Sequence, residues 1–115
     1  GGMGTVYRAR DRKHGRPVAI KTIHPDLTSH LAPARFEREI HVTANLQHPH
    51  ILPLLDSGVA GDLVYFIMPF VEGENLRNKL DRVGKLPPAH VVRIGRDVAR
   101  ALEYAHRRGV VHRDI

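Results

Sequence analysis

The chain has 115 residues, 42% hydrophobic and 26% charged, which suits one small globular domain or part of a larger one. It has no cysteine, which excludes disulfides and thiolate chemistry. The formal charge of +6 is shared equally by residues 1–58 and 59–115, a spread that argues against a nucleic-acid partner. The longest apolar run, 63–71, is about half of what a membrane span needs.

The first part of the chain predicts a β-hairpin and then a helix. Residues 5–10 and 17–23 are rich in β-branched and apolar side chains, and a polar stretch separates them. Apolar residues then recur at helical spacing, and His48-Pro49 is expected to end that helix. The members of this helical stripe are Phe36, Ile40, Thr43 and Leu46.

A second hairpin and two helices are predicted to follow. The apolar runs 51–56 and 63–70 form the hairpin, and Pro53 restricts its first strand to a sheet edge or a bulge. A short helix covers 75–83 and is closed by a glycine. The longest helix starts at Pro87-Pro88 and runs to about residue 108, with an apolar stripe opposite an arginine-rich one. Strands followed by helices predict an α+β fold, a small antiparallel sheet joined to a helical domain.

Glycines and a lysine suited to nucleotide chemistry lie near the start. Gly1, Gly2 and Gly4 precede a strand, where glycine lets the backbone approach a phosphate closely. Because they do not open a helix, a dinucleotide-binding fold is disfavoured. Ala19 and Lys21 share one strand face roughly 6–7 Å apart. The flat aromatic ring of a nucleotide could therefore rest on Ala19 while Lys21 reaches the phosphates of the same nucleotide.

Two acidic residues extend this set. Glu39 directly precedes Ile40 of the helical stripe and could pair with Lys21, and Asp114 follows the long helix, where it could accept a proton from a hydroxyl group. Each feature alone also fits a turn, a surface lysine, a helix ion pair with Arg35 or an ordinary loop. The nine histidines include no helical i,i+4 pair of the zinc-site type, so no protein-held metal is expected.

In this order the motifs resemble the protein-kinase signature set. The chain resembles the bacterial eukaryotic-like (Hanks-type) Ser/Thr protein kinases over essentially its whole length. The segments that carry the resemblance are 1–7, 18–21, 35–39, 48–51, 68–73 and 109–114. It implies a protein-kinase-like fold with a nucleotide-binding lobe over 1–70, a hinge over 71–74 and the start of a helical lobe over 75–115.

The resemblance also implies a set of site residues. Asp114 would be the catalytic base, Lys21 would hold the α- and β-phosphates, Glu39 would pair with Lys21, and Arg113 would bind a phosphorylated activation loop. Nucleotide contacts would come from Gly1, Gly2, Gly4, Val6, Ala19, Lys21, Met68, Pro69 and Val71. Val6 and Ala19 would enclose the adenine, Met68 would be the gatekeeper, and the Pro69 carbonyl and Val71 N–H would bond the adenine edge.

ATP and Mg²⁺ are the cofactors that the resemblance implies, and a protein is the implied substrate. The Mg²⁺ ligands of the family, an Asn and an Asp-Phe-Gly motif, would follow Ile115. The chain is therefore expected to be an inactive fragment of a cytoplasmic kinase domain. Three alternatives stay open: a pseudokinase or nucleotide-binding scaffold, a small-molecule phosphotransferase, which Arg113 disfavours, and a nucleic-acid binder, which the even charge distribution disfavours.

Overall fold

The computed structural model describes residues 4–23, 40–112 and 115. These residues fall into two compact units. The first contains the chain up to Gln47 together with Leu52–Phe70, and the second contains His48–Ile51 together with Val71–Ile115. Within the described ranges, no helix is both long enough and apolar enough to cross a bilayer.

The first unit contains a four-stranded antiparallel sheet formed by β1 Gly4–Asp11, β2 Arg16–Ile23, β3 Asp56–Ala60 and β4 Leu63–Pro69, in the order β1-β2-β4-β3. The two central strands, β2 and β4, hold the β-branched and aromatic residues that favour a sheet interior. The first predicted hairpin, β1 with β2, is confirmed to within a residue or two.

The predicted strand over 51–56 is wrong except at its last residue, because β3 begins at Asp56. Pro53 has no N–H to donate to a strand ladder, and pairing starts only beyond it. Gly58, expected in a loop, lies inside β3 opposite Tyr65. A Cβ at Gly58 would lie 2.5 Å from the Tyr65 hydroxyl oxygen, so glycine lets the tyrosine ring cross the strand. The expected edge position of this strand is confirmed.

Residues 40–44 are helical, as the stripe predicted, and Phe36 lies outside the described residues. This helix ends at Ala44, four residues before His48, and the next residue, Asn45, donates its side-chain amide N–H to the His41 carbonyl at 2.7 Å. A side chain that binds the backbone in this way competes with the helical hydrogen bonds. Leu46 beyond the turn is only 6% exposed.

The second unit holds α1, Leu76–Val83, and α2, Pro88–Arg107, both close to their predicted bounds. Asn75 caps α1 by accepting the Asn78 N–H at 2.8 Å. Gly84 closes it with φ +82°, a conformation that favours glycine. On α2, Ala101 and Ala105 are buried, while Val91 and Val98 of the predicted apolar stripe are exposed.

Candidate functional site

One face of the sheet carries four of the predicted site residues. Lys21 on β2 pairs with Val6 on β1 and with Phe66 on β4, and Ala19 on β2 pairs with Met68 on β4. Directly paired residues in antiparallel strands lie on the same face, as do residues two apart in one strand. Val6, Ala19, Lys21 and Met68 therefore share a face, although 47 residues separate Lys21 from Met68 in the sequence.

A cavity of about 310 Å³ opens on this face beside Lys21. Lys21 is the one charged side chain among the described residues that line it. Water solvates an ammonium group poorly among apolar side chains, so an anionic partner gains more there than at an open surface. The other lining residues are Ile23, Ile40, Thr43, Leu52, Leu54, Phe66 and Met68.

The helical segment 40–44 lies on the Lys21 side of the sheet, because Ile40 and Thr43 line the same cavity. Glu39, the predicted partner of Lys21, lies outside the described residues, and the ion pair stays a prediction. Among the residues that the structure describes, no carboxylate lies within ion-pair distance of Lys21.

Met68 and Pro69 are the last two residues of β4. Pro69 pairs with Val18 in the strand register and offers only a carbonyl, since proline has no N–H. Val71 follows two residues later, in the second unit, and is 69% exposed. The local backbone is thus consistent with a carbonyl acceptor at 69 and an accessible residue at 71.

Gly4, the one described member of the glycine cluster, opens β1 opposite Ile23. A Cβ at Gly4 would lie 2.1 Å from the Thr22 carbonyl oxygen, so any other residue would push the two strands apart. Glycine is therefore required here for strand pairing, whatever its role toward a ligand. The remaining predicted site residues, Gly1, Gly2, Arg113 and Asp114, lie with Glu39 outside the described ranges.

Sequence reasoning missed two side chains on this face. Phe66 lies two residues before Met68, and simple strand alternation could have placed it beside Lys21. The Arg8 guanidinium lies 4.6 Å from the centroid of the Phe70 ring, which is cation–π distance. Strand alternation places Arg8 on the same face as Val6, but nothing in the sequence identifies Phe70 as the ring that the Arg8 guanidinium contacts.

The second unit contains two pairs of ionisable side chains, one beside α1 and one that involves α2. The Arg82 guanidinium on α1 donates to the Glu74 carboxylate, which precedes the helix, with one Nε–Oε1 distance of 3.1 Å. This hydrogen bond holds the pKa of Glu74 below its usual value and raises the pKa of Arg82. His50 lies 3.5 Å from Asp97 of α2 and ties the 48–51 segment to that helix.

The sheet order and the helices that follow define an α+β fold of the protein-kinase type, and solved structures confirm it. The chain superimposes over its full length on Rad53 1–466 in complex with AMP-PNP, with a TM-score of 0.88, 29% identity and coverage of 30% of that chain. It also matches the kinase domain of Mycobacterium tuberculosis PknI, with a TM-score of 0.84, 36% identity and coverage of 48% of that chain.

The family model described as protein kinase domain matches residues 1–115, so the chain belongs to the protein kinase family. It is 40% identical over 116 residues to a probable serine/threonine-protein kinase of Clostridium perfringens, covering the whole chain and 17% of that relative. It is also 40% identical over 116 residues to the serine/threonine-protein kinase PknD of Mycobacterium tuberculosis, covering 18% of it. The chain thus spans less than a fifth of the length of these relatives, and the resemblance to bacterial Ser/Thr kinases is confirmed.

Proposed function

We propose that the chain is the nucleotide-binding part of an ATP-dependent protein kinase that transfers the γ-phosphoryl group to Ser or Thr hydroxyls. The observation that carries the proposal is the shared sheet face of Val6, Ala19, Lys21 and Met68, beside a cavity in which Lys21 is the one charged side chain among the described lining residues. The names of the relatives as serine/threonine kinases support it, as does the likeness to an AMP-PNP-bound kinase. The same names disfavour the pseudokinase alternative.

The nucleotide would lie along this face. Adenine would stack between Val6 and Ala19, with Met68 behind it, and its edge would bond the Pro69 carbonyl and the Val71 N–H. The α- and β-phosphates would then lie near Lys21, roughly 6–7 Å along the strand from Ala19. In the same proposal, residues 1–70 form the nucleotide-binding lobe, 71–74 the hinge, and 75–115 the start of the helical lobe.

Two groups of residues would complete the site. The glycines Gly1, Gly2 and Gly4 would cover the phosphates, and Glu39 would hold Lys21 in position by an ion pair. These contacts preorganise positive charge and backbone N–H groups around the triphosphate. Phosphoryl transfer depends mainly on such positioning and electrostatic stabilisation.

In the transfer step the substrate hydroxyl oxygen attacks the γ-phosphorus while the bond to the β–γ bridging oxygen breaks. Asp114 would accept the hydroxyl proton, and Arg113 would bind a phosphorylated activation loop. Within 4–23, 40–112 and 115, no group of three Asp, Glu or His side chains is suited to a metal, so we assign Mg²⁺ no ligand there. It would arrive with the nucleotide phosphates. We propose a cytoplasmic location for the domain, because ATP is available there.

The test is phosphoryl transfer from γ-labelled ATP to a Ser/Thr-containing acceptor protein by the intact protein. Lys21→Met is expected to lower kcat/KM by about 10²-fold or more, because it removes a preorganised charge from the transition state. Lys85→Met removes an exposed lysine beyond α1 and is the matched control, with unchanged turnover. If Lys21→Met keeps wild-type turnover while melting normally, the proposed site is wrong.

A further inference from the structure

The hairpin between β1 and β2 concentrates positive charge that the even division between the two halves of the chain conceals. Residues 10–16 contain four Lys or Arg and one Asp, a net +3, which is half of the formal charge of the chain. The basic members are Arg10, Arg12, Lys13 and Arg16, and the acidic member is Asp11. The nucleotide-binding proposal gives this cluster no role.

The Asp11 carboxylate organises the turn from within. It accepts the backbone N–H of Lys13 at 3.0 Å and that of His14 at 3.3 Å, and it lies 2.8 Å from the His14 Nδ1 and 3.4 Å from the Arg16 Nε. Gly15, with φ +64°, closes the turn by donating its N–H to the Asp11 carbonyl at 2.8 Å. The turn is therefore held in one conformation, and its single carboxylate is occupied inside it.

The other three cations of the hairpin, Arg10, Arg12 and Lys13, have no carboxylate within ion-pair distance among the described residues. Arg12 and Lys13 are exposed at the tip, and no ion pair among the described residues involves them. The Arg10 guanidinium donates to the Gly15 carbonyl at 3.2 Å, which fixes its direction without neutralising it. An external anion therefore meets three positive side chains, Arg10, Arg12 and Lys13, on a turn whose backbone is fixed by hydrogen bonds.

A second cavity, of about 370 Å³, adjoins this cluster. It lies on the opposite face of the sheet from Lys21, because Val18 and Ile20 alternate with Ala19 and Lys21 along β2. Its floor is apolar, and charges of both signs line it: Arg10, Lys13, Arg16 and Asp11 from the hairpin, and Asp56 from the start of β3. The floor includes Val18, Ile20, Leu55 and Ile67.

We propose that this surface, the hairpin cations of residues 10–16 with the adjoining cavity, binds an acidic peptide segment of a partner protein and receives one of its large apolar side chains. The carboxylates of the segment would pair with Arg12 and Lys13, and the apolar side chain would cover the floor. Area removed from water supplies affinity there, while the charges supply orientation and association rate.

A peptide fits this surface better than two other polyanions. A nucleic acid presents phosphates at regular intervals and would leave the apolar floor uncovered. A membrane surface would also leave the floor empty, since it is recessed in the sheet and no large apolar side chain lies in the turn at residues 12–15 to enter a bilayer.

The experiment measures fluorescence anisotropy of a labelled peptide, four Glu residues followed by Leu-Phe, titrated with the intact protein. Arg12→Glu/Lys13→Glu is expected to weaken binding about tenfold or more, because each change turns an attraction into a repulsion. Replacing Leu-Phe in the peptide by Ser-Ser is expected to weaken binding to a similar degree. The matched control Lys85→Glu/Arg96→Glu, with the same change in net charge on exposed positions of the second unit, stays within about twofold of wild type.

Equal losses in both double variants would mean a response to net charge alone and would overturn the proposal. So would tighter binding of a DNA duplex or of phosphatidylglycerol vesicles that the peptide fails to displace. A dimer that Arg12→Glu/Lys13→Glu dissociates would assign the surface to a second copy of the chain instead. This assay measures peptide binding and involves no phosphoryl transfer. A negative result here would therefore leave the proposed nucleotide site standing, and a negative result of the Lys21→Met test would leave the proposed peptide surface standing.

Discussion

Enlarging the side chain at Ala19 tests the proposed adenine platform directly. Ala19 lies on the Lys21 face, between its register partners Arg8 and Met68. A stacked ring rests about 3.5–4 Å above the methyl group, which is the optimal carbon–carbon contact distance. Ala19→Leu adds three carbons that project into this space, so the ring and the new side chain cannot both fit without displacement.

The expected cost follows from measurements of overpacked sites. Inserting extra carbons into a well-packed contact costs about 1–3 kcal/mol. Since 1.4 kcal/mol corresponds to a factor of ten, nucleotide affinity is expected to fall about 5- to 150-fold. The loss should appear in binding and leave the thermal melt of the protein nearly unchanged, because the new side chain projects from a sheet face beside an open cavity.

The assay is a titration of the intact protein with a fluorescent ATP analogue, alongside its melting curve. Ala60→Leu adds the same carbons at the exposed end of β3 and is the matched control, with wild-type affinity expected. Wild-type affinity in Ala19→Leu together with a normal melt would refute the placement of adenine on this face. An equal loss in Ala60→Leu would show that the effect is not local.

Two further predictions concern stability. Gly95→Ala lies inside α2 with open space around its Cβ, and it is expected to stabilise the chain by about 1 kcal/mol through helix propensity. Gly84→Ala is expected to destabilise the chain by about 1–2 kcal/mol, because the φ of Gly84 is +82°. Urea denaturation measures the change in unfolding free energy of each variant, and two changes of the same sign would contradict the prediction. The second prediction is a pH dependence that arises at Asp11. The hydrogen bond from His14 lowers the pKa of Asp11 below its ordinary value of 3.8. The carboxylate therefore stabilises the fold at neutral pH, and this contribution is lost as the pH falls through the lowered pKa. Melting curves of wild type and Asp11→Asn should differ most near neutral pH and converge below about pH 4, with Asp62→Asn in the β3–β4 turn as the control for loss of one carboxylate. A difference that stays constant with pH would contradict this role of Asp11.

The elements whose signals are local could be predicted well from the sequence. Alternation of apolar and polar residues located β1 and β2, and it also placed Ala19 and Lys21 on one face. The C-terminal end of α1 followed from the closing Gly84, because glycine satisfies terminal backbone groups within the same few residues. Asn75 was predicted as the first helical residue, and the structure shows it as the cap instead. In the second hairpin, β4 was predicted to within one residue, but the first strand was misplaced because its apolar run continued through Pro53, which has no N–H to donate to a strand ladder.

The sequence by itself determined the type and periodicity of most elements, since φ/ψ preferences and side-chain alternation act between neighbours along the chain. Only the tertiary structure decided which strands lie side by side. The order β1-β2-β4-β3 brings Met68 beside Ala19 and Phe66 beside Lys21, and this order depends on competing ways to bury apolar surface across long stretches of chain. The tertiary structure also decided where the hairpin cations lie. Their residues can be read directly from the sequence, but their position beside a cavity depends on how the sheet is assembled.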